Sequence, residues 1–367
     1  MNKLLAAILA ILMCDTALGA ELSLPSKPPV DLYGYTKFDA CYDTSRISAG
    51  NFAQWVEPKG DQENQFNLTA RQTRLGLNFS TPAANGIETS GKLEIDFYGG
   101  GPENKNLPMM RHAFMKLDWP KRGFSILAGQ TSDVISPLVP STVNYSVAWW
   151  VGDIGYRRPQ LRLTKAFKAG ANSQLLFQLA AVRPTDEGNV QPPNFQGRTA
   201  LSFKKITLGV SGHWGEEEAD LDTWSANLDL MLPIFKWLAL TGEAWTGENL
   251  DAYLGGIGQG IRCVDADGDG KREKPVETIA SVGGWAAIGL EPFKGWHFNL
   301  GGSLDDPDDA DLNDADRSLN VSLFGNVLYD VNNVAQIGIE VSQWDTQYKN
   351  QQDRDSFRVQ TALSYKF

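Results

Sequence analysis

The feature that most limits what this chain can fold into is a two-residue beat. Ile87, Thr89, Gly91, Leu93, Ile95 and Phe97 share one parity, against Glu88, Ser90, Lys92, Glu94, Asp96 and Tyr98. Trp224, Ala226, Leu228, Leu230 and Leu232 oppose Thr223, Ser225, Asn227 and Asp229. Trp296, Phe298, Leu300 and Leu304 oppose His297, Asn299 and Ser303. Successive side chains of a strand point to opposite sides of the sheet, so this pattern predicts strands with one apolar and one polar face.

The connections have a rhythm of their own. Short turns stand at 80–86, 120–123, 168–172, 204–205, 233–236, 292–295 and 331–333. Between them lie mostly longer polar segments at 43–64, 99–106, 131–152, 184–194, 215–221, 249–276, 305–317 and 345–354. Seven short and eight longer connections join sixteen strands. Short on one side and long on the other is the pattern of a sixteen-stranded antiparallel transmembrane β-barrel, all-β, with its apolar face on lipid and its polar face on a watery interior. The closing stretch "DSFRVQTALSYKF" fits as a last strand, with Phe357, Val359, Thr361, Leu363, Tyr365 and Phe367 on one stripe.

That geometry explains a composition that hydropathy alone assigns to a soluble acidic protein, with mean hydropathy −0.29 and a charge of −11. A soluble β-sandwich or propeller is the rival fold, but neither needs the short and long alternation. Aromatics near strand ends (Trp119, Phe124, Trp214, Trp237, Trp296, Phe367) suit the girdles of a membrane barrel. The opening "MNKLLAAILAILMCDTALGA" has a basic start, an apolar core too short to span a bilayer, and a small-residue cleavage site. Residues 1–20 therefore read as a signal peptide, 21–29 as a short N-terminal segment, and 30–367 as the barrel. Cys41 and Cys263 remain beyond the signal, one pair and too few for a disulfide scaffold.

Sixteen strands enclose an aqueous channel rather than a filled core. The third long connection, 131–152, is unlike the others: it is apolar, carries Pro137 and Pro140, and ends in Trp149 and Trp150. Exposed to water it would be an anomalous patch, so it is expected to fold inward as a constriction. The following strand places Arg158, Gln160, Arg162 and Thr164 on one parity, with Arg157 adjacent. Lipid-facing charge near mid-bilayer costs about 2–4 kcal/mol, so these arginines belong on the lumen side. Arg71, Arg74 and Arg111 are further lumen candidates, although Arg71 and Arg74 share a face only across a bulge. One reading is a basic wall opposite Asp133 and Asp153, with a transverse field that favours anions. The other is that the arginines pair with Glu88, Glu94 or Asp96 and simply hold the wall.

The segments "DLYGYTKFDACYDTS", "RQTRLGLNFSTP", "GKLEIDFYGG", "MMRHAFMKLDW" and "FSILAGQTSDVISPLVPSTVNY" resemble, in order and spacing, the DcaP-like porins of the Gram-negative general porin superfamily. The resemblance covers the first half; the second half matches as generic barrel strands. It implies a homotrimer in the outer membrane, a third loop folded into each pore, and passive uptake of small anions such as dicarboxylates. It also implies that Arg71, Arg74, Arg111, Arg158 and Arg162 are pore-lining bases. Some members carry a helical N-terminal extension, where this chain has only the short, proline-rich 21–30.

"CVDADGDGKRE" at 263–273 places Asp265, Asp267 and Asp269 where a calcium loop has its first oxygen ligands. The twelfth position is Val276 rather than Glu, and no helices flank it. An acidic solvated loop without an ion is the plain reading; weak calcium that orders the loop or bridges lipopolysaccharide is the alternative. No other cofactor is implied. A barrel lipase or protease would need a histidine beside a nucleophile, and His112, His213 and His297 lie on separate strands, with His213 read as a girdle residue beside Trp214. A non-conducting adhesin is the third class. Nucleic-acid binding lacks a basic cluster beyond Arg157-Arg158.

Overall fold

In a computed structural model, the structure describes residues 29–60, 63–101, 105–185, 192–217, 221–265 and 271–367. The expected signal segment and nearly all of 21–29 lie outside the described residues.

The first half of the chain forms β1 (Val30–Asp43), β2 (Gln65–Thr69), β3 (Arg74–Ala84), β4 (Ile87–Asp96), β5 (Met109–Trp119), β6 (Phe124–Ser132), β7 (Arg157–Ala169) and β8 (Ser173–Val182). It continues through β9 (Asn194–Phe203), β10 (Ile206–Glu217), β11 (Leu221–Phe235), β12 (Leu238–Glu248), β13 (Ile261–Val264) and β14 (Lys274–Thr278). The last strands are β15 (Ala280–Phe293), β16 (Trp296–Pro307), β17 (Arg317–Asp330), β18 (Ala335–Tyr348) and β19 (Arg354–Lys366). All but β13 and β14 belong to one 17-stranded antiparallel sheet. Within it, β2 pairs with the upper half of β1 and β3 with the lower half, so the two share one wall position. The wall therefore has sixteen positions, and it closes where β1 meets β19, from Tyr35↔Lys366 to Asp43↔Arg358.

The break between β2 and β3 resolves the parity conflict of Arg71 and Arg74. Ala70–Thr73 make a turn (Thr73 N–H to Ala70 O, 3.0 Å), and the Thr73 hydroxyl accepts from the Lys37 amide at 3.1 Å in place of a ladder bond. Both arginines can then face inward. A bulge at Arg111 on β5, opposite Glu94 and Ile95 of β4, places Arg111 and His112 on the same side of β5.

The burial pattern is inside out compared with a water-soluble protein. On β19, Phe357, Val359, Leu363 and Tyr365 are exposed, while Ser356, Arg358 and Gln360 are buried. On β11, Thr223, Ser225, Asn227 and Asp229 are buried and Leu228 is exposed. The beat in the sequence is therefore an apolar exterior around a polar interior. The short connections are tight turns, such as Asn85-Gly86, where φ values of 54° and 79° suit a two-residue hairpin.

Two strand boundaries differ from expectation. β7 begins at Arg157, so the third loop runs over 133–156 rather than ending at Gly152. The connection 249–276 is not one polar surface loop: its first part turns inward, and β13 and β14 form a separate hairpin beyond it.

Candidate functional site

Loop 133–156 crosses the lumen and is fastened to the wall on many sides. Its irregular backbone carries N–H and C=O groups that have no ladder to join, and inside a barrel they need partners. The wall's carboxylates supply acceptors. Glu340 accepts from the Val143 and Asn144 amides at 2.7 and 3.2 Å, and Glu243 accepts from the Leu138 amide at 2.8 Å. Donors come from Lys37, whose Nζ reaches Val143 O at 2.8 Å, from Asn326 to Ser141 O at 2.8 Å, from Asn320 to Trp150 O at 2.9 Å and from Trp245 Nε1 to Gly152 O at 2.7 Å. The Tyr145 hydroxyl bonds Asp96 at 2.7 Å, and its ring stacks on Tyr98 with centroids 3.9 Å apart. The first long loop closes over this layer: Ile47, Ala53 and Val56 pack with Ala148, Val151 and Trp344.

A second inward segment, 249–260, lies against the third loop. Trp150 N–H bonds Leu254 O at 2.8 Å and Gly155 N–H bonds Tyr253 O at 2.7 Å. Leu250 and Tyr253 join Ile135, Ile154 and Trp245 in a buried apolar cluster. This segment was missed in the sequence; its signal was Leu250, Tyr253, Leu254 and Ile257 among glycines, an apolar run in a connection otherwise polar.

The arginines fall into two groups. Arg111 is held by Glu94 at 2.8 Å, Asp96 at 2.6 Å and the Tyr145 hydroxyl at 2.8 Å. Arg158, almost fully buried, spans Asp133 at 3.3 Å, Glu217 at 3.2 Å and Ala252 O at 2.8 Å, and lies over the Tyr253 ring. Arg74 stands 3.6 Å from Glu94. Arg71 donates to Phe97 O and Gly101 O and covers Tyr98. Arg157 and Arg162, like Arg71, make no ion pair among the described residues. Arg157 lies against Trp149 and Tyr156, two rings that meet edge-on, with its guanidinium carbon 5.5 and 4.5 Å from their centroids. Arg162 donates to Gln160 Oε1 at 2.9 Å and to Ser132 O. Both line a cavity of about 280 Å³ between the third loop and the β7–β8 wall, with Asp133, Asp153, Trp149 and Gln178.

Asp133 accepts from the Tyr156 amide at 2.9 Å and faces Arg158, so it belongs to the loop's anchorage. Asp153 is buried beside Glu243, and burial together with that neighbouring carboxyl holds its pKa well above the usual carboxylate range.

Asp265 is exposed at the end of β13; Asp267 and Asp269 lie outside the described residues. Among the described residues, no group of three or more acidic, histidine or cysteine side chains is placed to hold a metal. His213 is not a girdle residue. It faces inward, bonds the Ser225 and Thr223 hydroxyls at 2.7 and 3.0 Å, and stacks on Tyr253 at 3.9 Å, because the strand's parity gives the lipid side to Trp214.

No family model matches the chain, and no curated protein matches it. Solved structures do. The outer-membrane channel DcaP of Acinetobacter baumannii matches at TM-score 0.74 and 19% identity, covering 92% of this chain and 97% of its own. An anion-selective porin from Comamonas acidovorans matches at TM-score 0.63 and 11% identity, covering 93% and 100%. The trimer form of OmpT, an outer-membrane protein of Vibrio cholerae, matches at TM-score 0.58 and 8% identity, covering 92% and 99%. At these identities the likeness is one of architecture: the chain has the sixteen-stranded barrel fold of the outer-membrane porins.

Proposed function

We propose that the protein is an outer-membrane channel through which small hydrophilic solutes diffuse passively, with a bias to anions such as carboxylates. The observation that carries the bias is the division among its buried charges. The wall carboxylates are used as acceptors for loop amides or as partners of Arg111, Arg158, Arg198 and Arg358. Arg157 and Arg162 make no ion pair among the described residues, in a lumen cavity whose lining also includes Asp133 and Asp153. Inside a low-dielectric wall, an uncompensated guanidinium attracts anions far more strongly than it does in water.

The apolar exterior supports integral placement among outer-membrane lipids and lipopolysaccharide, and the solved trimeric relative supports a homotrimer. An enzyme is disfavoured by His213: both ring nitrogens are occupied and one face is covered.

Single-channel recording in planar bilayers tests the reading. In a salt gradient the reversal potential is expected to have the sign of anion preference, and replacing Arg157 and Arg162 by Gln together is expected to reduce it. Cation preference would sink the bias while leaving the channel; absence of conductance would sink the channel.

A further inference from the structure

The short turns at one end of the barrel carry a charge pattern that the lumen does not use. Along the strand order from β5 to β16, five of them follow one another, at 120–123, 168–172, 204–205, 233–236 and 292–295, and none contains Asp or Glu. Every one carries a cation: Lys121 with Arg122, Lys168, Lys204 with Lys205, Lys236, and Lys294. All are exposed, and among the described residues none makes an ion pair. Aromatic rings stand beside them. Trp119 and Phe124 flank the first turn with centroids 5.5 Å apart, Phe235 and Trp237 stack at 5.4 Å on either side of Lys236, and Phe293 and Trp296 bracket Lys294. Lys204 Nζ lies 5.6 Å from the Phe203 ring, and Lys165 Nζ, on the strand leading to the second turn, 5.0 Å from the Phe167 ring. Phe167 and Phe203 are exposed on the apolar, lipid-side parity of their strands. The acidic groups near this end sit on the opposite parity. Asp118 pairs with Lys116 at 2.6 Å and faces Glu88 across the ladder, while Glu291 and Asp330 meet the two nitrogens of His297 at 3.1 and 3.0 Å. His297 alternates with the exposed Trp296, which takes the lipid side.

We propose that this arc of turns is a docking surface for anionic phospholipid, phosphatidylglycerol or cardiolipin, in the periplasmic leaflet. The short turns of an outer-membrane barrel face the periplasm, so the cations lie level with that leaflet's headgroups. Aromatic rings settle where acyl chains give way to headgroups, and lysine stems carry their ammonium groups past them to the phosphates. A cluster of such cations holds anionic lipid in preference to zwitterionic lipid, because only the former keeps a net negative charge at the phosphate. An acidic protein or a cell-wall glycan approaching from the periplasm would use the cations but would leave the lipid-side rings beside them without a role. The two remaining short turns, 80–86 and 331–333, are uncharged and lie on either side of the β1–β19 seam, so the bound lipid is confined to the β5–β16 side. This inference rests on the barrel and its orientation, not on what passes through it.

The test reconstitutes the full-length protein in phosphatidylcholine vesicles that contain a rising fraction of brominated phosphatidylglycerol, with brominated phosphatidylcholine as the reference. Quenching of tryptophan fluorescence reads the lipid at the protein surface; Trp119, Trp237 and Trp296 report from this end. Phosphatidylglycerol is expected to bind about tenfold more tightly than phosphatidylcholine at low salt, and the preference to collapse at about 1 M salt, where charge is screened within a few ångströms. Replacing Lys121, Lys204, Lys205, Lys236 and Lys294 together by Gln is expected to bring the ratio close to one, while replacing the same five by Arg keeps it. Equal binding of the two lipids by the unaltered protein, a preference indifferent to salt, or a preference that survives the Gln replacements would each overturn the proposal. If the Gln variant fails to insert, the salt dependence and the Arg variant still decide. Cosedimentation with purified peptidoglycan that the Gln replacements abolish, without any lipid preference, would assign the turns to the cell wall and overturn it as well. Conductance without lipid preference overturns the docking surface and leaves the channel; lipid preference without conductance does the reverse.

Discussion

Arg158 shows how far a single residue's role was legible. Its alternation with Gln160 and Arg162 placed it inside the barrel, and the alternation needed nothing but the period of a strand. The choice between a pore-lining base and a wall-holding base was invisible, because Asp133, Glu217 and Tyr253 come from three distant parts of the chain. Replacing Arg158 by Met leaves two buried carboxylates without their partner and is expected to cost about 3–5 kcal/mol, read as a lowered midpoint in a urea or thermal melt. Asp153 gives the pH counterpart. Its pKa is raised in the folded protein, so the folded state holds a proton that the unfolded chain has already released. Stability should therefore fall as pH rises from the ordinary carboxylate value of 3.8 toward the raised one. Asp153→Asn removes that group's slope, and melts of the two proteins across pH should diverge upward from that value; parallel curves would exclude the pair as a pH-dependent fastening.

Among elements, the strands were readable and the inward loops only partly so. The third loop betrayed itself by apolar and proline content, but its end was placed at Gly152, whereas β7 begins only at Arg157. In the folded chain, Gly152 takes φ 137° and packs where a Cβ would lie 2.3 Å from Gly284 O, so the turn back to β7 needs this glycine. Gly152→Ala is expected to cost about 1–3 kcal/mol by overpacking, with the loss appearing in loop anchorage, measured by proteolytic susceptibility of 133–156. Segment 249–260 is held by the third loop rather than by strand pairing. Replacing it with a short Gly-Ser linker should raise single-channel conductance while the barrel still closes; an unchanged conductance would show that the segment lies clear of the solute path.

At the scale of the molecule, the decisive fact is the inversion of polarity. Leu228 is exposed in mid-strand, whereas its neighbour Asn227 is buried. Leu228→Arg should destabilise the inserted barrel by about 2–4 kcal/mol, measured by unfolding from lipid bilayers, and Asn227→Arg should affect selectivity more than insertion.

The sequence by itself determined the barrel. Strand period, turn placement and the alternation of connection lengths are local properties, and sixteen repetitions leave few closed solutions. Tertiary structure alone decided which arginines remain without a carboxylate and which loops fill the lumen. Charge pairing and loop docking join residues far apart in the chain, such as Arg158 with Glu217 or Glu340 with Val143, and their separation along the chain carries no trace of that proximity.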